Sequence, residues 1–114
     1  MIVKKYQEVE KSQLIKEGVK DVSIRWLIGE DSGAPNFYLR LFEVEPGGHS
    51  PLHAHPWEHE VFIVEGKGKI NTGERSLPVE KGSFALVLPG EKHRFENTGA
   101  ATLKFLCIIP TDGQ

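Results

Sequence analysis

The stretch from Gly47 to Gly66, G-G-H-S-P-L-H-A-H-P-W-E-H-E-V-F-I-V-E-G, holds four of the chain's five histidines: His49, His53, His55 and His59. The fifth, His93, follows a turn of its own, Pro89-Gly90-Glu91-Lys92. Neutral imidazole is the commonest side-chain metal ligand, and clusters at fixed spacing are how a chain builds a metal site. Residues two apart on a strand face the same side, so His53 and His55 project together with Ala54 turned away. If the strand continues in phase past Pro56, His59 joins that face and Glu60 does not. The reading predicts that His53, His55, His59 and His93 converge on one divalent ion, with His93 supplied by a neighbouring strand. Glu60 is the fallback ligand, and Glu58 and Glu60 are otherwise solvated or hydrogen-bonded to ligand imidazoles. His49 is read as a loop residue outside the ligand set.

Outward from this stretch, turn formers alternate with short segments rich in β-branched and aromatic residues, the pattern of an all-β sandwich or barrel. Val22, Ile24, Trp26 and Ile28 alternate with Ser23, Arg25 and Leu27, which predicts a strand. A second strand is expected over 36–45, ended by Pro46-Gly47-Gly48. Further strands are read at 58–65, 68–71, 76–79, 83–88, 93–96 and 102–109, with 83–88 buried. Residues 1–6 are expected as a short edge strand, with one helical turn between Ser12 and Glu17. The 58–65 strand is apolar on both faces, and its outward Phe62 and Val64 point to packing against a second subunit.

Composition narrows the function classes. With 114 residues, the chain reads as one domain over 1–114, all-β, a small antiparallel jelly-roll barrel. Charged residues make up 26% and are balanced to a net charge of -2, so there is no basic stripe to hold nucleic acid. No apolar run approaches the roughly twenty residues of a membrane span. The N-terminus lacks the apolar stretch of a signal peptide, and Cys107 has no partner for a disulfide, so the expected location is the cytoplasm.

The motifs resemble those of a single-domain cupin. The first cupin motif spaces a glycine, His-x-His, an acidic ligand and a closing glycine as this chain spaces Gly47, His53, His55 and Gly66 across 47–66. His59 stands where the family usually has glutamate. The second motif, at 82–97, is matched by Gly82, Gly90, His93 and Asn97, with the proline displaced by one to Pro89. Histidine in place of glutamate is similar to a subgroup of small bacterial cupins with four-histidine manganese sites and homodimeric assembly. The resemblance therefore implies manganese and a homodimer, whereas imidazole chemistry alone favours Zn, Cu, Fe or Ni.

Leu103, Phe105, Cys107 and Ile109 share a face of the last strand. In the resembling subgroup the matching aromatic and cysteine line the metal cavity; the alternative for Cys107 is plain core. The candidate substrate pocket is Phe105, Cys107, Ile109, Arg40 and Trp57. Arg40 lies in a strand interior, where it either anchors an anion or, the preferred reading, snorkels to solvent. The functional expectation is a metal-dependent, dioxygenase-like oxidoreductase acting on a small organic substrate. The alternatives are a non-catalytic metal-dependent binding or sensing module, and isomerase or hydrolase chemistry, which needs a general base. An all-histidine site should lose metal steeply below about pH 6.

Overall fold

The computed structural model describes residues 1–113. Its strands are β1 (Ser12–Gln13), β2 (Lys20–Ile28), β3 (Phe37–His49), β4 (His59–Glu65), β5 (Lys67–Asn71), β6 (Ser76–Glu80), β7 (Phe84–Val87), β8 (Arg94–Asn97) and β9 (Leu103–Pro110). They run antiparallel in the order β6-β5-β8-β3-β9-β4-β7, and β2, carrying β1 on its other edge, adds to β3. The result is an all-β, nearly closed antiparallel barrel of jelly-roll type. Closure of this kind removes most of the open edges that a flat sheet would expose. Among the described residues no helix is long and apolar enough to cross a membrane.

β3 is the hinge of the barrel. Its first part pairs with β9 from Phe37↔Pro110 to Val44↔Leu103, while its last residue, His49, pairs with Glu96 of β8. Pro46-Gly47-Gly48, expected to end the strand, instead lies within it. The reason is a bulge: the β2 register jumps from Val22↔Val44 to Lys20↔His49, so the extra β3 residues loop out and the strand passes from its β9 pairing to its β8 pairing. Gly47 takes a φ of 80°, and a Cβ on Gly48 would stand 2.6 Å from the Lys20 carbonyl oxygen. Both positions therefore call for glycine.

Period-two alternation places the core as predicted. Val61 and Ile63 of β4 face inward with Leu103, Phe105, Cys107 and Ile109 of β9, all buried. Phe95 stacks on Phe105 at 4.4 Å between ring centroids, and Phe42 on the same ring at 5.2 Å. Four expectations are corrected. Residues 1–5 form no strand, a short 3-10 turn covers Tyr6–Glu8, and the helical turn expected at Ser12–Glu17 begins as β1. β7 is not buried: Phe84 is 82% exposed and Leu86 54%, because β7 pairs only with β4 and turns these side chains outward. Trp26 keeps the phase of Val22 and Ile24, but Ile28 falls out of it, because a second register shift separates Trp26↔Arg40 from Ile28↔Leu39.

Candidate metal centre

The segment between β3 and β4 carries His53 and His55, and it is laced to the segment leading into β8. Ser50 N–H donates to the Phe95 carbonyl at 2.9 Å, and Phe95 N–H to Ser50 Oγ at 2.8 Å. His53 and His93 exchange backbone hydrogen bonds of 3.2 and 2.9 Å as an isolated antiparallel bridge. Gly90 N–H then donates to the His55 carbonyl at 2.7 Å. The two motifs are thus joined by main-chain bonds, which fixes the positions from which their histidines project. His55 therefore does not ride on a regular strand shared with His59, as the parity argument assumed. Its ring reaches the others from a loop, and His59 opens β4.

His53, His55 and His93 form a cluster able to hold a metal ion, their ligand nitrogens all within 4.8 Å of one another. Imidazole–metal bonds of about 2.0–2.1 Å put two nitrogens of one ion at most about 4.2 Å apart, so a closure of a few tenths of an ångström completes the set. His59 lies outside that spacing, but its ring stacks 5.1 Å from His55 and stands 5.0 Å from His93. Its Nδ1 lies 3.5 Å from Cys107 Sγ, while its Nε2 is buried with no hydrogen-bond partner. A buried nitrogen left unpaired costs free energy, and an ion is one partner that would satisfy it. His93 Nδ1 donates to the Glu91 carbonyl at 3.0 Å, which leaves the Nε2 lone pair free for coordination. The donor set present therefore fits a divalent transition metal.

Burial holds these imidazoles neutral. Desolvation, followed by the charge of His55 and then His93, lowers the His53 pKa to about 4. Desolvation and the His93 charge bring His59 to about 3. His55 and His93 are lowered too, again chiefly by burial. The positive charge of Arg40 acts in the same direction on all four.

The histidines open into a cavity of about 250 Å³ lined by the predicted Arg40, Trp57, Phe105, Cys107 and Ile109. Trp57 lies parallel to the His55 ring at 4.7 Å, so it walls the site as well as the cavity. Cys107 is both buried and cavity-lining, and burial raises its pKa so that it stays a thiol. Arg40 does not snorkel: its Nη2 donates to Cys107 Sγ at 3.0 Å, and its guanidinium lies over Phe42. Glu58 and Glu60 are exposed and do not line the cavity, so the Glu91 carbonyl and Cys107 take the supporting contacts expected of them. His49 contacts the Ser50 carbonyl instead of the cluster. The cavity also takes Ile24, Phe42 and Phe95, from segments read only as strands, and Leu14 and Lys16, which no sequence signal singled out.

Residues 40–109 match the family described as the cupin domain. The chain belongs to the cupin family. Over 104 residues this cupin is 30% identical to a protein of Thermotoga maritima named oxalate-binding protein, covering 88% of this chain and 84% of that protein. It is 35% identical over 71 residues to 1-methylthio-D-xylulose 5-phosphate methylsulfurylase of Rhodospirillum rubrum, covering 62% of this chain and 46% of that enzyme. Among solved structures, the polyketide cyclase RemF of Streptomyces resistomycificus superposes with a TM-score of 0.92 at 32% identity, covering 97% of this chain and 80% of RemF. The relatives of this cupin thus differ in function, and the family by itself leaves the reaction open.

Proposed function

We propose that this cupin is a metal-dependent, dioxygenase-like oxidoreductase acting on a small organic substrate, with His53, His55, His59 and His93 as the ligands of one divalent ion. The supporting observation is the cavity lining: four imidazoles, Arg40, Lys16, Ser50 and otherwise mainly apolar walls, with no carboxylate among the described residues that line it. Proton-shuffling chemistry calls for a positioned base, and among the described residues no carboxylate lines the cavity. A divalent ion bound there supplies Lewis-acid charge and, where the metal is redox-active, electron transfer involving dioxygen. Four neutral imidazoles leave the ion's double charge uncancelled, which favours a substrate with an anionic oxygen, such as an enolate or phenolate. Trp57, Phe42 and Phe105 exclude water and accept the apolar body of that substrate. Manganese is the metal that the four-histidine pattern implies, with Fe, Ni, Cu and Zn as the competitors.

A second reading, binding without turnover, is favoured by the likeness to the oxalate-binding protein, which extends over most of both chains. Elemental analysis of protein purified without added metal identifies the ion. Oxygen uptake and product formation are then followed for the metal-loaded protein with a panel of phenolic and enolisable substrates. Metal-dependent uptake that is lost in His55→Ala supports the oxidoreductase. Tight anion binding with no substrate consumed selects the binding module, and consumption without oxygen uptake points to non-oxidative chemistry of the kind that RemF's name describes.

The assembly we propose is a homodimer formed through the outer face of β4 and β7. Phe62 and Phe84 are register partners there, exposed by 48% and 82%, with Leu86 alongside. An exposed cluster of this kind on a small domain favours a partner surface. The unpaired Cys107 suits a reducing compartment, in keeping with a cytoplasmic location.

A further inference from the structure

Arg40 is a half-buried cationic group that the strand pairing carries into the barrel beside the histidines, whereas Lys16, the other cation lining the cavity, is exposed. Its cross-strand neighbours are Trp26 on β2 and Cys107 on β9. Its guanidinium carbon lies 4.9 Å from the Phe42 ring centroid and 5.5 Å from that of Trp26, so two aromatic faces hold the charge. Nη2 donates to Cys107 Sγ at 3.0 Å, whereas the buried Nε has no acceptor. The ion pairs of the described residues join Arg25 to Glu43, Lys69 to Glu96 and Lys104 to Glu65, and none involves Arg40.

A guanidinium does not shed its proton inside a protein. Taken out of water, it calls for an anion and for acceptors to its N–H groups. The fold offers it two ring faces and a thiol, which is a weak acceptor. None of the carboxylates of the described residues lines the cavity, so the anion is one that a ligand can supply. A carboxylate matches the guanidinium fork in shape and charge. Apart from Lys16, which is exposed, and Ser50, the remaining walls, from Leu14 and Ile24 to Phe42 and Trp57, are apolar, and a bare dicarboxylate would leave them uncovered. At about 250 Å³ the cavity falls below the about 300–1,000 Å³ of pockets for drug-sized ligands, so the apolar body is limited to about one ring or a short chain.

We infer that Arg40 is the carboxylate-binding residue of this cavity, and that the ligand is a small carboxylic acid with an apolar or aromatic body. This assignment rests on the reading that the histidine-lined cavity is the substrate site. With the carboxylate on Arg40, an oxygen elsewhere on the ligand is free to face the histidines, and Arg40 sets which acids enter and how they lie.

The test is calorimetric titration with phenylpyruvate, its methyl ester and oxalate, on the wild type, Arg40→Gln and Arg40→Lys, each metal-free and loaded with Mn²⁺. Phenylpyruvate should bind the wild type more tightly than oxalate does, in the metal-free protein as well. Arg40→Gln should weaken phenylpyruvate by about 10–100-fold, the range for losing a charge-assisted hydrogen bond, and leave the ester unchanged. Arg40→Lys should retain part of the affinity, as a point charge without the fork, and it serves as the folded variant if Arg40→Gln does not fold. Mn²⁺ affinity, read by electron paramagnetic resonance, should not fall in either variant, because Arg40 is not a ligand and loss of its positive charge beside the imidazoles favours the ion. Equal phenylpyruvate affinity in the wild type and the variants, tighter binding of oxalate, or no binding of phenylpyruvate to the wild type overturns the assignment. Failure of the wild type to take up Mn²⁺ or any other divalent metal counts against the metal centre alone, because the metal-free titrations still decide Arg40.

Discussion

His59 stands with Nδ1 against Cys107 Sγ at 3.5 Å and Nε2 buried without a partner, and burial brings its pKa to about 3. The ordinary imidazole value is 6.5, so between these pH values the unfolded chain binds a proton that the folded chain refuses. Stability of the metal-free protein is therefore fully present above pH 6.5 and falls as pH drops toward 3, by about 1.4 kcal/mol per pH unit for each such group. Urea unfolding at a series of pH values should show His59→Gln with a shallower acid slope than the wild type; parallel slopes would sink this account. The same burial moves proton competition for the metal below the pH of about 6 expected for ordinary histidines. Retention of metal after dialysis at pH 5 checks this. His93→Ala should keep the backbone bridge to His53 and lose metal affinity by at least about 100-fold, measured by competition with a chelator. The clustering of His53, His55 and His93 was legible from spacing, because a His-x-His pair and a turn-borne histidine are motifs read along the chain. The supporting contacts were not, since the Glu91 carbonyl and the Cys107 sulfur reach the imidazoles only after the chain has closed.

At the level of elements, the histidine-bearing segment holds its place through a ladder of backbone bonds to 90–95, and β8 is pinned in turn by Asn97. The Asn97 amide donates to the carbonyls of Val44 at 2.7 Å and Ala101 at 2.8 Å, while its Oδ1 accepts from Gly99 N–H. Asn97→Ala leaves these groups unpaired, and the cost should be about 1–3 kcal/mol by chemical denaturation, with metal affinity reduced as His93 loosens. A denaturation midpoint equal to that of the wild type would refute the pinning role. The strands themselves were readable from turn formers and alternation. Pro46-Gly47-Gly48 misled because the same residues that end strands also make bulges, and only the pairing partners on β2 and β8 distinguish the two. Phe84 and Leu86 misled for a related reason: apolar β-branched and aromatic runs read as buried whether they face a core or an open sheet surface.

On the scale of the whole molecule, the apolar face that carries Phe62, Phe84 and Leu86 lies on the outside of the barrel, whereas the histidines open to its interior. Phe84→Asp should therefore convert the proposed dimer to monomer in light scattering and leave metal content unchanged. A wild type that is monomeric at micromolar concentration would dispose of the dimer without touching the metal centre. The separation of the two faces follows from period two, which sends Val61 and Ile63 inward and Phe62 and Val64 outward along one strand.

By itself the sequence determined the all-β class, the cupin motifs and the histidines that line the cavity, because those depend on local periodicity and on spacing along the chain. Only the tertiary structure decided that His53 and His93 share a backbone bridge, that His59 lies just outside the tightest cluster, and that Arg40 turns inward to Cys107. These are facts about which strands meet and in what register. Residues 40 and 107 are far apart in the chain and become neighbours only through the pairing of β3 with β9. Distance along a chain holds no record of such a meeting until backbone hydrogen bonding and core burial have chosen it.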